Sequence, residues 1–148
     1  MAKPLKIILA SDHAGYELKI FLKEQLIKMN YSVEDLGCEN SDISVDYPDY
    51  AKKLCQRMAN NSENCKAILI CGSGIGMSIA SNRYNHIRCA LCFSVKLAKL
   101  ARAHNNANVL SLGARFIKSK NALAIVKAFL TTEFEGNRHE ARIAKLSK

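Results

Sequence analysis

Between residues 71 and 76 the chain reads Cys-Gly-Ser-Gly-Ile-Gly, and the apolar run Ala67-Ile68-Leu69-Ile70 leads straight into it. A glycine-rich turn from strand to helix leaves backbone N–H groups free at the amino end of the helix. These N–H groups form a cradle for an anion, or for an oxygen that gains negative charge during a reaction. Cys71 stands just before the helix start, whose positive end favours a thiolate and so a base or nucleophile. The loop is not a dinucleotide fingerprint, because Met77 stands where G-x-G-x-x-G needs glycine, and it lacks the Gly-Lys-Ser/Thr of a P-loop. A Cys-x5-Arg phosphatase loop also fails, again at Met77.

Three further segments carry polar chemistry. Ser11-Asp12-His13-Ala14-Gly15 follows the apolar run near the start, and Asp12 and His13 there could orient and protonate a ligand oxygen. His104-Asn105 closes a helical stretch. Arg138 and Arg142 lie four apart, hence on one helical face, and could close two guanidinium forks on one phosphate. Each feature has a plainer reading: a tight turn for the glycine loop, a buried thiol for Cys71, a helix cap for Asp12, a solvent-facing ring for His104, and surface charge for the arginines.

The elements that must position these residues alternate along the chain. Apolar runs at Lys6–Ser11, Tyr31–Leu36, Ala67–Cys71, Ile87–Phe93 and Val109–Leu112 are each followed by an amphipathic stretch: Gly15–Met29, Tyr47–Ala59, Ile75–Arg83, Val95–His104 and Asn121–Phe134. In the first helix Leu18, Phe21, Leu22, Leu26 and Met29 share one face, with Lys19, Lys23, Glu24 and Lys28 outside it. Runs such as Ala67–Cys71 do not alternate, as expected of strands covered on both faces. The fold class is therefore α/β: a three-layer α/β/α sandwich over a five-stranded, Rossmann-like, mainly parallel sheet. A C-terminal extra helix, Arg138–Leu146, has a narrow apolar face and is expected over a sheet edge or on a partner subunit. Ser41–Asp49 is the most loop-like stretch. Open α/β sheets bind ligands at the carboxyl ends of their strands, so Ser11–Gly15, the Cys71–Gly76 loop and His104-Asn105 are expected to open on one rim.

At 148 residues the chain has the size of one domain, 1–148, and no proline- or glycine-rich linker interrupts it. The net charge of +9 is uneven: residues 94–148 hold 11 basic and 3 acidic side chains, against 11 and 10 in residues 1–93. The basic residues are spread singly without an aromatic stacking platform, which argues against nucleic acid and suits a small phosphorylated ligand. The longest early apolar run, Ile7–Ala10, is too short for a signal peptide or a membrane span, so the chain is expected to be cytoplasmic, away from membranes. Its six cysteines then read as reduced thiols. Cys89 and Cys92 form a CxxC inside a strand, where side chains three apart face opposite ways, and no second ligand pair follows at zinc spacing.

Taken together the motifs resemble the type B ribose-5-phosphate isomerase family, which includes isomerases of galactose and allose 6-phosphates. The resemblance rests on Ser11–Gly15, Asp46-Tyr47-Pro48, Ile70–Gly76 with Ser78-Ile79-Ala80, His104-Asn105 with Asn108-Val109-Leu110, Gly113-Ala114-Arg115, and Phe134–His139 with Arg142. It spans nearly the whole chain. It implies interconversion of D-ribose 5-phosphate and D-ribulose 5-phosphate through a cis-enediolate, without metal or organic cofactor. Cys71 would be the base between carbons 1 and 2, with Ser73 beside it, and His104 the acid that opens the furanose ring. Asp12, His13 and Tyr47 would bind substrate, and Gly72, Gly74, Ile75 and Gly76 would hold the enediolate. Asn105, Arg115, Arg138 and Arg142 would bind hydroxyls and phosphate. The family shares its site between subunits, which implies a homodimer or a dimer of dimers, and it has strand order 2-1-3-5-4.

Two departures stand out: Ser73 where many members carry threonine, and Met77 where others place a glutamate base, which leaves Cys71 as the base. The competing readings are an isomerase of a six-carbon sugar phosphate and a non-catalytic module that binds a phosphate ligand.

Overall fold

The structure, a computed structural model, describes residues 4–60 and 64–147. Its elements are β1 (Lys6–Ser11), α1 (Tyr16–Lys28), β2 (Ser32–Asp35), α2 (Tyr47–Ala59), β3 (Cys65–Cys71), α3 (Ile75–Ser81), β4 (Cys89–Leu91), α4 (Val95–Ala103), β5 (Val109–Gly113), α5 (Ser119–Thr131) and α6 (Arg138–Ala144). The five strands form one parallel sheet in the order β2-β1-β3-β5-β4. The expected architecture and strand order both hold.

Successive side chains of a strand face opposite sides, and each side has its own core. Ile7, Leu9, Ile68, Ile70, Leu110 and Leu112 pack under α1, α4 and α5, whereas Ile8, Ala10, Ala67, Leu69 and Cys71 pack under α2 and α3. Burying each Ile or Leu side chain stabilises the fold by about 2 kcal/mol. Cys89 packs with the second core and Cys92 belongs to the first, so the CxxC does face both ways.

Two local expectations need correction. The run Ile87–Phe93, expected as a buried strand, supplies only the three half-buried residues of β4, an edge strand that pairs with β5 alone. The Arg88 N–H is taken by Asn108 Oδ1 at 2.8 Å, which ends the pairing on that side. Lys19, placed outside the apolar face of α1, is 1% exposed. Its ammonium donates to Asp35 Oδ1 at 2.6 Å and to the Cys38 carbonyl at 2.7 Å, so the charge is buried with its partners. This pair ties α1 to the loop after β2, beside the carboxyl end of β1.

From β1 the chain first steps outward to β2 and then crosses back to β3 on the other side of β1. The crevice beyond β1 and β3 is therefore the topological switch point, where open α/β sheets bind ligands.

Candidate active site

Cys71, the last residue of β3, reaches this crevice. Its Sγ is buried and accepts the N–H of Gly74 at 3.2 Å. Gly74 has φ +79°, and a Cβ there would lie 2.5 Å from Leu91 Cδ1 and 2.9 Å from the Leu112 carbonyl carbon. Only glycine fits that turn. The loop is braced from β5: Ser111 Oγ donates to the Gly74 carbonyl at 2.7 Å, and the Ala114 and Arg115 N–H groups donate to the carbonyls of Cys71 and Gly72. Ser73 Oγ accepts the Ile75 N–H at 3.2 Å at the start of α3. The Gly76 and Met77 N–H groups have no intrahelical acceptor at that end, whereas the Gly74 and Ile75 N–H groups, named for the enediolate, are taken up by Cys71 Sγ and Ser73 Oγ.

A cleft of ≈ 400 Å³ opens here, lined by Asp12, Tyr47, Cys71, Gly72, Ser73, Gly76, Arg115 and Phe116. A Cβ on Gly72 would meet the Arg115 guanidinium at 2.8 Å, and one on Gly76 would meet the Tyr47 ring at 2.6 Å. The glycines thus let a cation and a phenol ring close over the loop. Asp12 is buried beside it, and its Oδ1 accepts the Gly15 N–H at 3.1 Å, so the carboxylate both holds the turn into α1 and lines the cleft. His13 Nδ1 accepts the Val45 N–H at 3.1 Å, which leaves Nε2 to carry the proton of the neutral ring.

Four further cysteines lie away from this cleft. Burial pushes the thiols of Cys55 and Cys89 up to about 12 and that of Cys92 up to about 11, and it also raises Cys65. These four are packing groups at neutral pH. Cys71 is the thiol that lines the cleft.

His104 and Asn105 are not on this rim. They follow α4, which returns the chain from the carboxyl ends of the strands to their amino ends. The nearby backbone confirms the direction: the Asn108 N–H donates to the Arg88 carbonyl just before β4, and the Ala67 N–H donates to the Asn108 carbonyl. The expectation of a single rim treated the end of a helix as if it were the end of a strand. Along β5 alone, five residues long, the two rims are separated by roughly 13 Å.

At the far rim α6 lies near the end of α4. The Glu135 N–H donates to the Ala103 carbonyl, and the His104 and His139 rings stack at 4.4 Å between centroids. Arg138 and Arg142 are exposed. Asn105 lines a second cleft of ≈ 450 Å³ that also touches Arg88, the edge strand at Cys89 and Ala90, and Leu146 just after α6. One chain therefore brings Asp12, His13, Tyr47, the Cys71–Gly76 loop and Arg115 together, and keeps His104, Asn105, Arg138 and Arg142 apart from them.

A family model for Ribose/Galactose Isomerase matches residues 7–146. The chain belongs to the ribose/galactose isomerase family. Within that family it is similar to the ribose 5-phosphate isomerase from Thermotoga maritima, at 51% identity and a TM-score of 0.93 over 97% of each chain. It is also similar to ribose-5-phosphate isomerase B from Mycoplasma genitalium, solved with bound ribulose-5-phosphate, at 42% identity and a TM-score of 0.92, covering 96% of this chain and 93% of that one. Ribose-5-phosphate isomerase B of Escherichia coli is 37% identical over 142 residues, 96% of this chain and 94% of that protein.

Two residues near the sites of this family member escaped the sequence reading. Phe116, 70% exposed, lines the cleft and meets Phe93 edge-on, and its signal was an aromatic directly after Arg115. Glu135, quoted within Phe134–His139 but given no role, carries a carboxylate oxygen within 4 Å of both His104 and His139; His139 is four residues on, whereas the contact to His104 has no local signal.

Proposed function

We propose that this chain is a single-domain aldose-ketose isomerase that interconverts D-ribose 5-phosphate and D-ribulose 5-phosphate, as a homodimer or a dimer of dimers with shared sites. The observation that carries the reading is the buried Cys71 sulfur, held by the Gly74 N–H in a cleft that also contains Asp12 and Arg115. The names borne by its relatives point to the same reaction.

The furanose must open first. His104 gives its proton to the ring oxygen as the C1–O bond breaks and its electron pair moves to that oxygen. The C1 hydroxyl becomes the aldehyde and releases its proton to solvent. The Cys71 thiolate then takes the C2 proton. The C–H electrons form the C1–C2 double bond, and the carbonyl pair moves to O1, where the Gly76 and Met77 amides meet the new charge. The O2 proton passes to O1, the C2 carbonyl forms, and the Cys71 thiol returns its proton to C1. No metal or organic cofactor enters these steps. Asp12, His13, Tyr47 and Asn105 hold hydroxyls, while Arg115, Arg138 and Arg142 hold the phosphate end and fix C1 and C2 against the sulfur.

The opposite placement of His104 and Cys71 supports the shared site: a partner that turns its His104 rim onto the Cys71 rim completes both copies. Exposed apolar side chains near the Cys71 rim, Ile75 and Ile79 on α3, Phe93 and Phe116, offer a face for that contact. Among the described residues no helix is long and apolar enough to cross a membrane. The six free cysteines support a cytoplasmic setting.

The test is formation of ribulose 5-phosphate from ribose 5-phosphate by the purified protein in excess EDTA, with Cys71→Ala beside it. The expected result is activity in the first and a loss of more than about 10³-fold in the second, with unchanged circular dichroism. An inactive parent enzyme would defeat the substrate assignment. A near-normal Cys71→Ala enzyme would defeat the mechanism.

A further inference from the structure

At the far rim Glu135 stands between two histidines. Its Oε2 lies 3.8 Å from His104 Nε2 and 3.5 Å from His139 Nε2. His139 is 8% exposed, and its Nε2 is buried without a hydrogen-bond partner among the described residues. The two imidazole rings are stacked within 15° of parallel at 4.4 Å between centroids.

These three groups are close enough to suggest a metal site. The stacking argues otherwise. A ligating imidazole holds its metal in the plane of its ring, and two nearly parallel planes stacked this way do not share a point near both nitrogens. The arrangement suits an acid that must be held in place. His139 forms a flat, buried floor for the His104 ring, and the carboxylate stands 3.8 Å from His104 Nε2, which leaves Nδ1 as the nitrogen to deliver a proton.

We propose that Glu135 is a positioning residue that, with the stacked His139 ring, orients the His104 ring for ring opening. The inference rests on the reading of His104 as the ring-opening acid. In the step itself His104 gives the Nδ1 proton to the ring oxygen as the C1–O bond breaks, and the Nε2 proton stays facing Glu135. The carboxylate donates and accepts nothing; its role is electrostatic and orientational.

The chemistry of the two substrates supplies a direct test. Ribose 5-phosphate enters as a furanose and must be opened. Ribulose 5-phosphate cannot close to a furanose, because the oxygen that would close it carries the phosphate, so its conversion reaches the free aldehyde without that step. Glu135→Gln keeps the shape and removes the charge. Glu135 makes its backbone bond to Ala103 through its N–H, which the substitution preserves.

Initial rates of Glu135→Gln and Glu135→Asp should be measured in both directions. For Glu135→Gln the expected result is a kcat about tenfold lower from ribose 5-phosphate, with the rate from ribulose 5-phosphate within about twofold of the parent enzyme. Glu135→Asp should recover part of the loss. Equal loss in both directions, or no loss in either, would overturn the assignment. A parent enzyme inactive on both sugars would instead defeat the underlying reading, an outcome told apart by the parent rates alone.

Discussion

The two rims of the sheet are built to different rules. At the carboxyl rim the Cys71–Gly76 loop is clamped: its carbonyls are hydrogen-bonded from β5, its one left-handed residue is fixed by Leu91 and Leu112, and its sulfur is buried and hydrogen-bonded. At the amino rim His104, Asn105, Arg138 and Arg142 stand on a turn and a short helix, open to solvent apart from the His139 stack. The contrast matches the two tasks. A group that moves a proton to and from carbon needs a fixed geometry against amides that do not rearrange. Under the proposed function, groups that grip phosphate and open a ring act on a substrate that arrives from solution, and a second subunit would complete them.

The contrast is broken most severely at Gly74. Gly74→Ala forces a Cβ into the left-handed region and against the Leu112 backbone, and should destabilise the fold by about 2 kcal/mol or more while lowering kcat over 10²-fold. Urea unfolding and steady-state kinetics read both effects, and normal activity would mean that the clamp is dispensable. At the other rim Arg142→Ala should leave the urea midpoint in place and raise KM about tenfold, as loss of one phosphate contact implies. An unchanged KM would remove Arg142 from the phosphate site. The smallest effect belongs to the buried thiols. Cys92→Ala should change kcat by less than about twofold, because its sulfur lies in the opposite core from Cys71 and its thiol is pushed up to about 11 by burial.

Much of the carboxyl rim was legible in the sequence because strand ends and glycine turns are local signals. The run Ala67–Cys71 followed by Gly72, Gly74 and Gly76 marks a strand, a turn and a helix start within ten residues, and Asp12 follows its strand in the same way. The amino rim was misplaced because residue types at a helix end do not say which end of the sheet the helix returns to. Knowing that α4 follows a strand would have sufficed, since a parallel crossover must come back to the amino ends. Lys19 was misread because its partners, Asp35 and the Cys38 carbonyl, come from the end of β2 and the loop after it, so periodicity showed a charge off the apolar face and nothing of its burial. The β4 edge was overextended because Ile87, Cys92 and Phe93 look like strand, whereas the Asn108 side chain takes the Arg88 N–H before the ladder begins.

The central claim is that one active site draws Cys71 from one chain and His104 from another. It is tested by mixing two inactive variants, Cys71→Ala and His104→Asn, unfolding and refolding them together at equal amounts, and assaying ribose 5-phosphate isomerisation. If sites are shared across a twofold dimer, half of the dimers are mixed and each mixed dimer holds one intact site, so activity should return to about a quarter of the parent value. If Cys71 and His104 act within one chain, the mixture stays as inactive as its parts, and that result would contradict the account.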